Sequence, residues 1–400
     1  MKIARTIPPT ASPIYLSDIF HGIIGLINED YYLETFRKEL CDYFDVKYCF
    51  LLSSGKAALT LILTALKESF PGKNEVLIPA YTCYSVPSSI IKAGLKVTLC
   101  DINPETLEFD YNQLTKKITK RTLCIIVCHL FGYIGDLDRL KRLAKDKGVF
   151  LIEDDAQAMG AEYKGQKVGS LADVGFFSLG RGKNISVVEG GIILTNNETI
   201  AVKLKNNWDV LNNYSSLEKI SLILKALLLN LLLRPYLYWF PYCLPFLNLG
   251  ATIFSTNFKI KKMSGFQCGL ARNWRQKLKN FNKIRENNAN FYLTCIDPDK
   301  IRKIEAQENT KCVYLRFPIK LKNGLKKDFF RNGKRNSLGI GPAYPGSIDS
   351  ISQITPYLQK DKYPEANKIA QSLLTLPTHS LVTGLDKDKI INLLNCKNIQ

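Results

Sequence analysis

The sequence predicts an α/β fold in which helices cover a mostly parallel β-sheet. Between about residue 47 and about residue 195, short apolar runs alternate with stretches of helical period. The chain has 400 residues, of which 46% are hydrophobic, enough for a large core and more than one domain. No internal repeat is visible. We therefore expect a body of two domains built around this sheet.

Seven apolar runs are the candidate strands of the sheet. They cover residues 47–52, 75–78, 96–99, 123–128, 149–153, 174–177 and 191–194. On such a sheet, ligands bind beyond the carboxyl ends of the strands. Ser54, Asp154 and Ser178 follow strand ends, so we expect three separated segments to converge there.

The charge of the chain favours anionic partners. Lys and Arg number 55 against 36 Asp and Glu, a net charge of +19, which suits phosphates, nucleotides or an acidic membrane surface. The lysines are scattered, and neither a basic block nor a nucleic-acid reader motif is present. Nucleic acid is therefore not an expected partner.

Cysteine and histidine usage favours a cytosolic protein without a metal site. Eleven cysteines, an odd number, fall mostly on apolar runs without a CxxC motif, and only three histidines occur. This pattern indicates reduced core thiols, and it disfavours both a structural zinc site and a hydrolase triad. Residues 1–15 lack the apolar stretch of a signal peptide, so export is not expected.

The first candidate site segment is LLSSGKAALTLILTAL, a strand that leads into a helix. Ser54 and Gly55 would open this helix, and its unpaired backbone N–H groups and positive dipole end would suit a phosphate. An ordinary Ser N-cap explains the same residues. It is not a Walker loop, because no Ser or Thr follows Lys56.

The second segment is EDDAQ, at the end of a buried strand. Carboxylates there are costly unless a positive group lies nearby, which a pyridinium would supply to Asp154. A solvated strand end or an ion pair with a neighbouring lysine is the alternative.

The third segment is FFSLGRGKNISVVEGG. Gly180 and Gly182 let the backbone bend closely around a bound group, and Lys183 follows Ser178 by five residues. Taken alone, Lys183 would be an ordinary loop lysine. Together with Asp154 it forms the pair that pyridoxal phosphate needs: an amine that can form a Schiff base, and a carboxylate that keeps the pyridine nitrogen protonated.

These residues, in this order, resemble the DegT-type sugar aminotransferases, enzymes of fold type I that use pyridoxal phosphate. The likeness implies a large domain with a mostly parallel seven-stranded sheet and a smaller carboxy-terminal α+β domain. It runs over most of the chain, in SSGKAAL, VLIPAYTCYSV, DINPETLEFD, HLFGYIGDL, EDDAQAMGAEYKGQKVGS, FFSLGRGKN and PEANKIAQSLLTLPTHSLVT.

The resemblance implies a role for each matching residue. Lys183 corresponds to the lysine that bonds to the cofactor and carries the proton, Asp154 to the partner of the pyridine nitrogen, and Gln157 to the residue beside the ring hydroxyl. The implied reaction moves an amino group from an amino acid, usually glutamate, to a keto sugar carried on a nucleotide. The resemblance also implies a homodimer.

The phosphate ligands implied by the family are Ser178, Ser54 and Gly55. Lys56 stands where the family commonly has Thr, and it either adds a charge to the phosphate site or points to solvent.

Other family positions carry different residues here. The aromatic that normally stacks on the cofactor ring is replaced by Cys83, which leaves Tyr81 or Tyr84 as substitutes. Ile260 replaces an Asn that the second subunit often donates to the phosphate. Tyr344, in GIGPAYPGS, is a candidate for the substrate entrance, and a Gly/Pro turn explains the segment equally well.

An insertion at about residues 217–250 is the largest departure from the family. Residues 217–233 are apolar on nearly every face, but prolines end the run before it reaches the ~20 residues of a membrane span. Tyr and Trp follow, with Lys219, Lys225 and Arg234 placed to meet lipid head groups. We expect this segment to lie on the cytoplasmic face of a membrane; packing against the dimer mate or the small domain is the alternative.

The expected organisation is an N-terminal arm (1–30), a cofactor domain (31–215), the insertion (216–262) and a small domain (263–400). The rival functions are a sugar dehydratase, an aminotransferase for lipid-linked substrates, and a membrane-associated scaffold without activity. In this family the dehydratases typically lack the lysine, so Lys183 argues against the first.

Overall fold

The computed structural model describes residues 5–244, 250, 252–299, 301–322, 324–358 and 361–395. The strands are β1 (Tyr48–Leu52), β2 (Glu75–Pro79), β3 (Lys96–Cys100), β4 (Thr122–Cys128), β5 (Phe150–Asp154), β6 (Glu162–Tyr163), β7 (Gln166–Lys167), β8 (Val174–Ser178), β9 (Gly191–Thr195), β10 (Ile301–Lys303), β11 (Thr310–Lys311), β12 (Phe317–Leu321) and β13 (Leu373–Leu376). The helices are α1 (Leu16–Ile27), α2 (Glu29–Phe44), α3 (Gly55–Ser69), α4 (Ser85–Lys92), α5 (Tyr111–Lys117), α6 (Leu137–Lys147), α7 (Glu198–Asp209), α8 (Ser216–Leu232), α9 (Trp239–Tyr242), α10 (Gly265–Leu270), α11 (Trp274–Cys295), α12 (Leu325–Arg335), α13 (Pro364–Ser372) and α14 (Gly384–Asn395).

The central sheet has seven strands in the order β1-β9-β8-β5-β4-β2-β3. Only β9 runs against the other six, because both of its neighbours pair with it in antiparallel register. Each predicted apolar run matches one of these strands to within one residue at either end. The prediction of a mostly parallel seven-stranded sheet is confirmed.

The strands are buried on both faces, as the near-continuous apolar runs predicted. Helix α3 packs against the sheet through ten buried residues, and it begins where the Ser54 side chain accepts a hydrogen bond from the Ala57 N–H. Helix α6 begins at Asp136, whose carboxylate accepts the Arg139 N–H, and ends at Gly148 in the left-handed region with φ +60°.

A second, antiparallel sheet in the order β10-β12-β13 packs with α11, α12 and α14 around its own apolar cluster. The expected start of the small domain, residue 263, comes just before α10. Phe266 of that helix lies in the same cluster as Ile19 of α1 and Leu222 of α8. The domain boundaries stay a prediction.

The predicted insertion contains α8, which runs antiparallel to α1. Near the start of α8, Lys219 forms an ion pair with Glu29, just beyond the end of α1. Near its end, the Asn230 side chain donates a hydrogen bond to the Ile14 carbonyl, just before α1 begins. Residues 245–249 of the insertion lie outside the described residues.

Among the residues that the structure describes, no helix has the length and apolarity needed to cross a membrane. The ten cysteines within the described ranges are all free thiols.

Candidate active site

Three of the predicted site residues converge at the carboxyl edge of the central sheet. Ser54 follows β1, and Ser178 ends β8. A Cβ placed on Gly55 would lie only 2.8 Å from the Ser178 Cβ, and one on Gly191 would lie 2.2 Å from the Ser54 carbonyl oxygen. The start of α3 and the end of β8 are therefore in direct contact, and only glycine fits between them.

The start of α3 has the features of a phosphate-binding site. Ser54 accepts the Ala57 N–H on its hydroxyl at 3.1 Å and the Ala58 N–H on its carbonyl at 2.9 Å. The two preceding amides, of Gly55 and Lys56, have no acceptor among the described residues. Free amides at the positive end of a 15-residue helix attract an anion. Phosphate binding by Ser54, Gly55 and Ser178 stays a prediction that this geometry fits.

The Lys56 side chain contacts an aromatic ring. Its ammonium lies 4.4 Å from the centroid of the Phe258 ring, where Lys92 also approaches at 4.7 Å. Burial, as the main cause, lowers the Lys56 pKa. Its predicted role as a phosphate ligand stays a prediction.

Asp154 and Lys183 lie close enough for their charges to act on each other. Burial raises the Asp154 pKa, and the charge of Lys183 partly offsets that rise. Burial lowers the pKa of Lys183, while Cys83 and Asp154 oppose the shift. Lys183 is half-buried. A cationic ring between the two groups would favour both the ionised carboxylate and the neutral amine.

The loop that carries Lys183 is fixed by its backbone. The Lys183 carbonyl accepts hydrogen bonds from the Ser12 hydroxyl and from the Arg285 guanidinium, the latter at 3.3 Å. Arg285 also donates to the Asn184 carbonyl at 3.0 Å. Gly182 has φ +70°, and a Cβ there would lie 2.2 Å from the Thr10 hydroxyl oxygen. The N-terminal segment and α11 therefore hold this loop, which the sequence did not indicate.

Gln157 is hydrogen-bonded at both ends of its amide. Its Nε2 donates to the Tyr344 hydroxyl at 2.7 Å, and its Oε1 accepts the Phe131 N–H at 3.1 Å. The Phe131 and Tyr344 rings are stacked, with centroids 6.2 Å apart. Tyr344, predicted as a candidate for the substrate entrance, thus contacts the residue expected beside the cofactor's ring hydroxyl.

The two candidates for ring stacking occupy different surroundings. Tyr81 is fully buried, and its hydroxyl oxygen accepts the Tyr344 N–H at 3.3 Å. The Tyr84 hydroxyl donates instead to the Gly346 carbonyl at 3.3 Å. Cys83, which stands at the family's aromatic position, lies close enough to Lys183 to influence its pKa. Stacking by either tyrosine stays a prediction.

The two acids next to Asp154 in the sequence, Glu153 and Asp155, have other contacts. Glu153 accepts three backbone hydrogen bonds, from the N–H groups of Gly169, Leu171 and Ala172. Burial, together with the charges of Glu153 and Asp154, raises the pKa of Asp155 well above its usual value. Asp155 and Glu153 lie behind the strand beside His129, in a fully buried cluster that could hold a metal ion. Of these three acids, Asp154 is the one whose charge acts on Lys183.

The sequence pattern did not indicate Arg316, whose charge acts on Lys183. The only available signal was a lone arginine in the apolar run VYLRFPI.

Residues 25–395 match the model of the DegT/DnrJ/EryC1/StrS aminotransferase family, and the chain belongs to this family. GDP-perosamine synthase of Caulobacter vibrioides is 37% identical over 174 residues, which cover 44% of this chain and 46% of that protein. Across the curated relatives, the matched parts span from 40% to 48% of their lengths, less than half.

Solved structures share the fold over nearly the whole chain. PseC of Helicobacter pylori, an aminotransferase in pseudoaminic acid biosynthesis, has a TM-score of 0.79 at 16% identity, covering 97% of this chain and 98% of that one. The E. coli GDP-4-keto-6-deoxy-D-mannose-3-dehydratase with bound hydrated PLP has a TM-score of 0.76 at 18% identity, covering 98% and 100%. The predicted resemblance and the fold-type I assignment are confirmed.

Proposed function

We propose that this protein is a pyridoxal phosphate-dependent aminotransferase that moves an amino group from an amino acid to a nucleotide-linked keto sugar. The observation that supports the proposal is that the charges of Lys183 and Asp154 act on each other, with the start of α3 at the same edge of the sheet. Pyridoxal phosphate, when bound, supplies an electron sink that lets an amino group leave one carbon and join another.

The protein residues would divide the work as follows. Lys183 would bind the cofactor's aldehyde carbon and later carry a proton to and from the substrate carbon, which requires a neutral amine; burial lowers its pKa in that direction. Asp154 would hold the proton on the pyridine nitrogen. The Gly55 and Lys56 amides with Ser178 would bind the phosphate, and the Gln157–Tyr344 pair would lie beside the ring.

The retained lysine distinguishes this proposal from its two closest rivals. A sugar dehydratase of this family typically lacks the lysine, whereas Lys183 is present and its loop is held by Ser12 and Arg285. A scaffold without activity would not need a buried, unpaired amine opposite a buried carboxylate, an arrangement that costs stability.

Absorbance spectroscopy tests the proposal directly. The purified protein should take up pyridoxal phosphate and turn yellow, lose colour with glutamate, and regain it with a member of a panel of nucleotide-linked keto sugars. Lys183→Ala should abolish this cycle, whereas Lys205→Ala, which removes an exposed lysine paired with Asp209, should not. A wild-type protein that takes up no cofactor would contradict the proposal.

The proposed donor is glutamate and the proposed assembly is a homodimer, as the family resemblance implies. Light scattering on the cofactor-loaded protein would give twice the 45.3 kDa chain mass if the assembly is right. A panel of amino acids in the bleaching assay would identify the donor.

We also propose that the enzyme works at the cytoplasmic surface of a membrane, through an apolar face made by α1 and α8. The exposed large apolar side chains of α1 are four, three and four residues apart along the chain. Helix α8 exposes a second row of large apolar side chains. These residues, each at least 42% exposed, define the α1–α8 face: Leu16, Phe20, Ile23, Ile27, Leu217, Ile220, Leu224, Leu227, Leu228 and Leu231.

This face lies opposite the protein core. Leu222 and Ala226 of α8 are buried in the same cluster as Ile19 of α1, so the two exposed rows both point away from it. A contiguous apolar patch of this kind indicates an interaction surface. The structure thus adds α1 to the segment that the sequence predicted, since the expected insertion supplied only the α8 row.

Charge favours an anionic lipid surface as the partner of the α1–α8 face. The one acid of α1, Asp18, pairs with Lys277 at 2.5 Å, and the one acid of α8, Glu218, pairs with Lys261 at 2.6 Å. The exposed Arg234 adds positive charge at the end of α8. The net charge of +19 also favours an anionic surface over a second copy of the chain, which carries the same positive charge.

Flotation with vesicles tests the membrane proposal. Wild-type protein should float with vesicles that contain phosphatidylglycerol and less with pure phosphatidylcholine. Phe20→Glu combined with Leu224→Glu should abolish flotation, whereas Leu385→Glu, at an exposed apolar residue outside the face, should leave it unchanged. Equal flotation of both variants would refute the proposal, and a change of oligomeric state without flotation would assign the face to a second copy.

A further inference from the structure

The backbone around Lys183 is a loop that contains several glycines. Residues 179–190 join β8 to β9 without a helix or strand, and Gly180 and Gly182 precede the lysine. Glycine has the widest choice of backbone conformations, so a loop of this kind loses much entropy when it is fixed. Within the loop, the Lys183 N–H donates to the Gly180 carbonyl at 3.2 Å. An amine on such a loop keeps one position only if other segments of the chain also hold its backbone.

Two residues from distant segments hold the carbonyl of Lys183. Arg285 of α11 donates from Nη2 to the Lys183 carbonyl at 3.3 Å and from Nη1 to the Asn184 carbonyl at 3.0 Å. Ser12 donates from its hydroxyl to the Lys183 carbonyl, and its oxygen accepts the Arg285 Nη2 at 3.2 Å. Arg285, Ser12 and the Lys183 carbonyl are thus each hydrogen-bonded to the other two.

Ser12 is itself anchored, because the segment before it is fixed to the rest of the protein. The Ile7 N–H donates to the Ser337 carbonyl at 3.0 Å, and the Pro8 carbonyl accepts His379 Nε2 at 2.7 Å. The Ser12 side chain is therefore a rigid support for the loop that it contacts.

Arg285 is a buried cation whose partners are all neutral. It is 1% exposed, and burial lowers its pKa to about 9. Along the described part of the chain, no carboxylate forms an ion pair with it. Removing a charge from water without a counter-ion costs several kcal/mol, which an apolar side chain would avoid. Its hydrogen-bond acceptors are the carbonyls of Ala11, Lys183 and Asn184, the Asn282 side-chain oxygen and the Ser12 hydroxyl.

We propose that Arg285 and Ser12 are positioning residues, which hold the Lys183 backbone so that its amine stays within reach of the substrate carbon. The assignment rests on the proposed function. Proton transfer by a side chain requires hydrogen-bond reach between the two atoms, and a displacement of about 1 Å can lower the rate about 100-fold. Both residues act through the carbonyl of the lysine and not through its amine.

The rate of the donor half-reaction tests this role. Cofactor-loaded protein is mixed with glutamate, and bleaching is followed against glutamate concentration. Ser12→Ala should lower the maximal rate by about 10- to 100-fold and leave the half-saturating glutamate concentration little changed. Tyr292→Phe is the matched control, because it also removes a buried hydroxyl that donates to a backbone carbonyl, that of Pro377 at 2.9 Å.

A graded series at Arg285 separates positioning from general stability. Arg285→Lys keeps the charge but reaches fewer carbonyls, and Arg285→Met removes both charge and donors, so maximal rates should fall in the order wild type, Arg285→Lys, Arg285→Met. Asn288→Ala, on the same helix, loses a buried donor to the Thr378 carbonyl at 2.8 Å and should keep the wild-type rate. If Arg285→Met does not fold, Ser12→Ala and Arg285→Lys carry the test.

Hydrogen exchange provides a readout that does not depend on turnover. Exchange of the amides of residues 179–187 is measured by mass spectrometry in full-length protein, with and without pyridoxal phosphate. Ser12→Ala should speed this exchange about fivefold, the usual effect of losing one neutral hydrogen bond. Asn288→Ala should leave it unchanged.

Each outcome decides the inference. Bleaching that is no slower in Ser12→Ala than in Tyr292→Phe would overturn it, even if exchange of the loop is faster, because the contacts would then be structural only. A loss seen only as a higher half-saturating glutamate concentration would assign the two residues to donor binding instead. If wild-type protein takes up cofactor but no amino acid bleaches it, the proposed function fails, whereas the exchange rates still show whether Ser12 and Arg285 restrain the loop.

Discussion

Because α1 and α10 cross closely, we expect a single methyl group added at the crossing to destabilise the folded protein. A Cβ placed on Gly25 would lie 2.2 Å from the Gly265 carbonyl oxygen and 2.9 Å from its carbonyl carbon. Both contacts are to helix backbone, which a side-chain rotation does not relieve. In Gly25→Ala the two helices must therefore separate by about 1 Å, in a core that is packed without voids.

The expected cost follows from two opposing terms. Overpacking of this kind costs about 3 kcal/mol at the upper end of its usual range, and replacing Gly by Ala within a helix returns about 1 kcal/mol. We therefore expect Gly25→Ala to lower the free energy of unfolding by about 2 kcal/mol. Gly22→Ala should cost less, because its closest contact, at 2.7 Å, is to the ring of Phe266, which can shift.

Urea unfolding followed by circular dichroism measures these differences, with all proteins saturated with pyridoxal phosphate so that cofactor binding contributes equally. Gly384→Ala is the matched control, since a Cβ there meets nothing within 4 Å at the first residue of α14. If Gly25→Ala and Gly384→Ala unfold at the same urea concentration, the close crossing of α1 and α10 is wrong.

Three further predictions follow from the packing and charges of the described residues. Burial lowers the His379 pKa to about 4, so between about pH 6.5 and pH 4 the unfolded chain binds more protons at this residue than the folded chain. The contribution of His379 to the free energy of unfolding should be fully present above about pH 6.5 and fall by up to about 3 kcal/mol as the pH drops to about 4. Urea unfolding measured at several pH values should show this decrease for wild type and not for His379→Gln. Gly191→Ala should raise the dissociation constant of pyridoxal phosphate at least about tenfold, because the added methyl group would lie 2.2 Å from the Ser54 carbonyl oxygen. Fluorescence titration measures this constant, and an unchanged value would contradict the predicted phosphate site. Phe317→Ala should lower the free energy of unfolding by about 3–5 kcal/mol, because the Phe317 side chain is fully buried. Phe20→Ala, at a residue that is 62% exposed, should change the urea midpoint little. Equal midpoints for the two variants would contradict the burial of Phe317.

Local pattern was sufficient to predict the central sheet and three polar residues at its carboxyl edge. Seven apolar runs gave seven strands, because strands buried on both faces must be continuously apolar. Ser54, Asp154 and Ser178 could be recognised because each polar residue comes at the end of such a run. The family resemblance, and not the pattern, supplied the roles expected for Gln157 and Lys183.

Contacts between segments that are far apart in the chain could not be predicted from local sequence pattern. The Lys183 loop is held by Ser12 and Arg285, which stand 171 and 102 residues away along the chain. The Lys56 ammonium lies 4.4 Å from the centroid of the Phe258 ring, about 200 residues further along the chain. Neither contact leaves a periodic or spacing signal in the sequence.

By itself, the sequence determined the α/β class, the parallel sheet and the edge at which a ligand would bind, because these follow from hydrophobic period and from the polar residues that end each strand. Only the tertiary structure decided that α1 and α8 share one apolar face and that Ser12 and Arg285 hold the Lys183 loop. The physical reason is that burial and charge pairing depend on which distant segments pack together, and no local stretch of the chain encodes that.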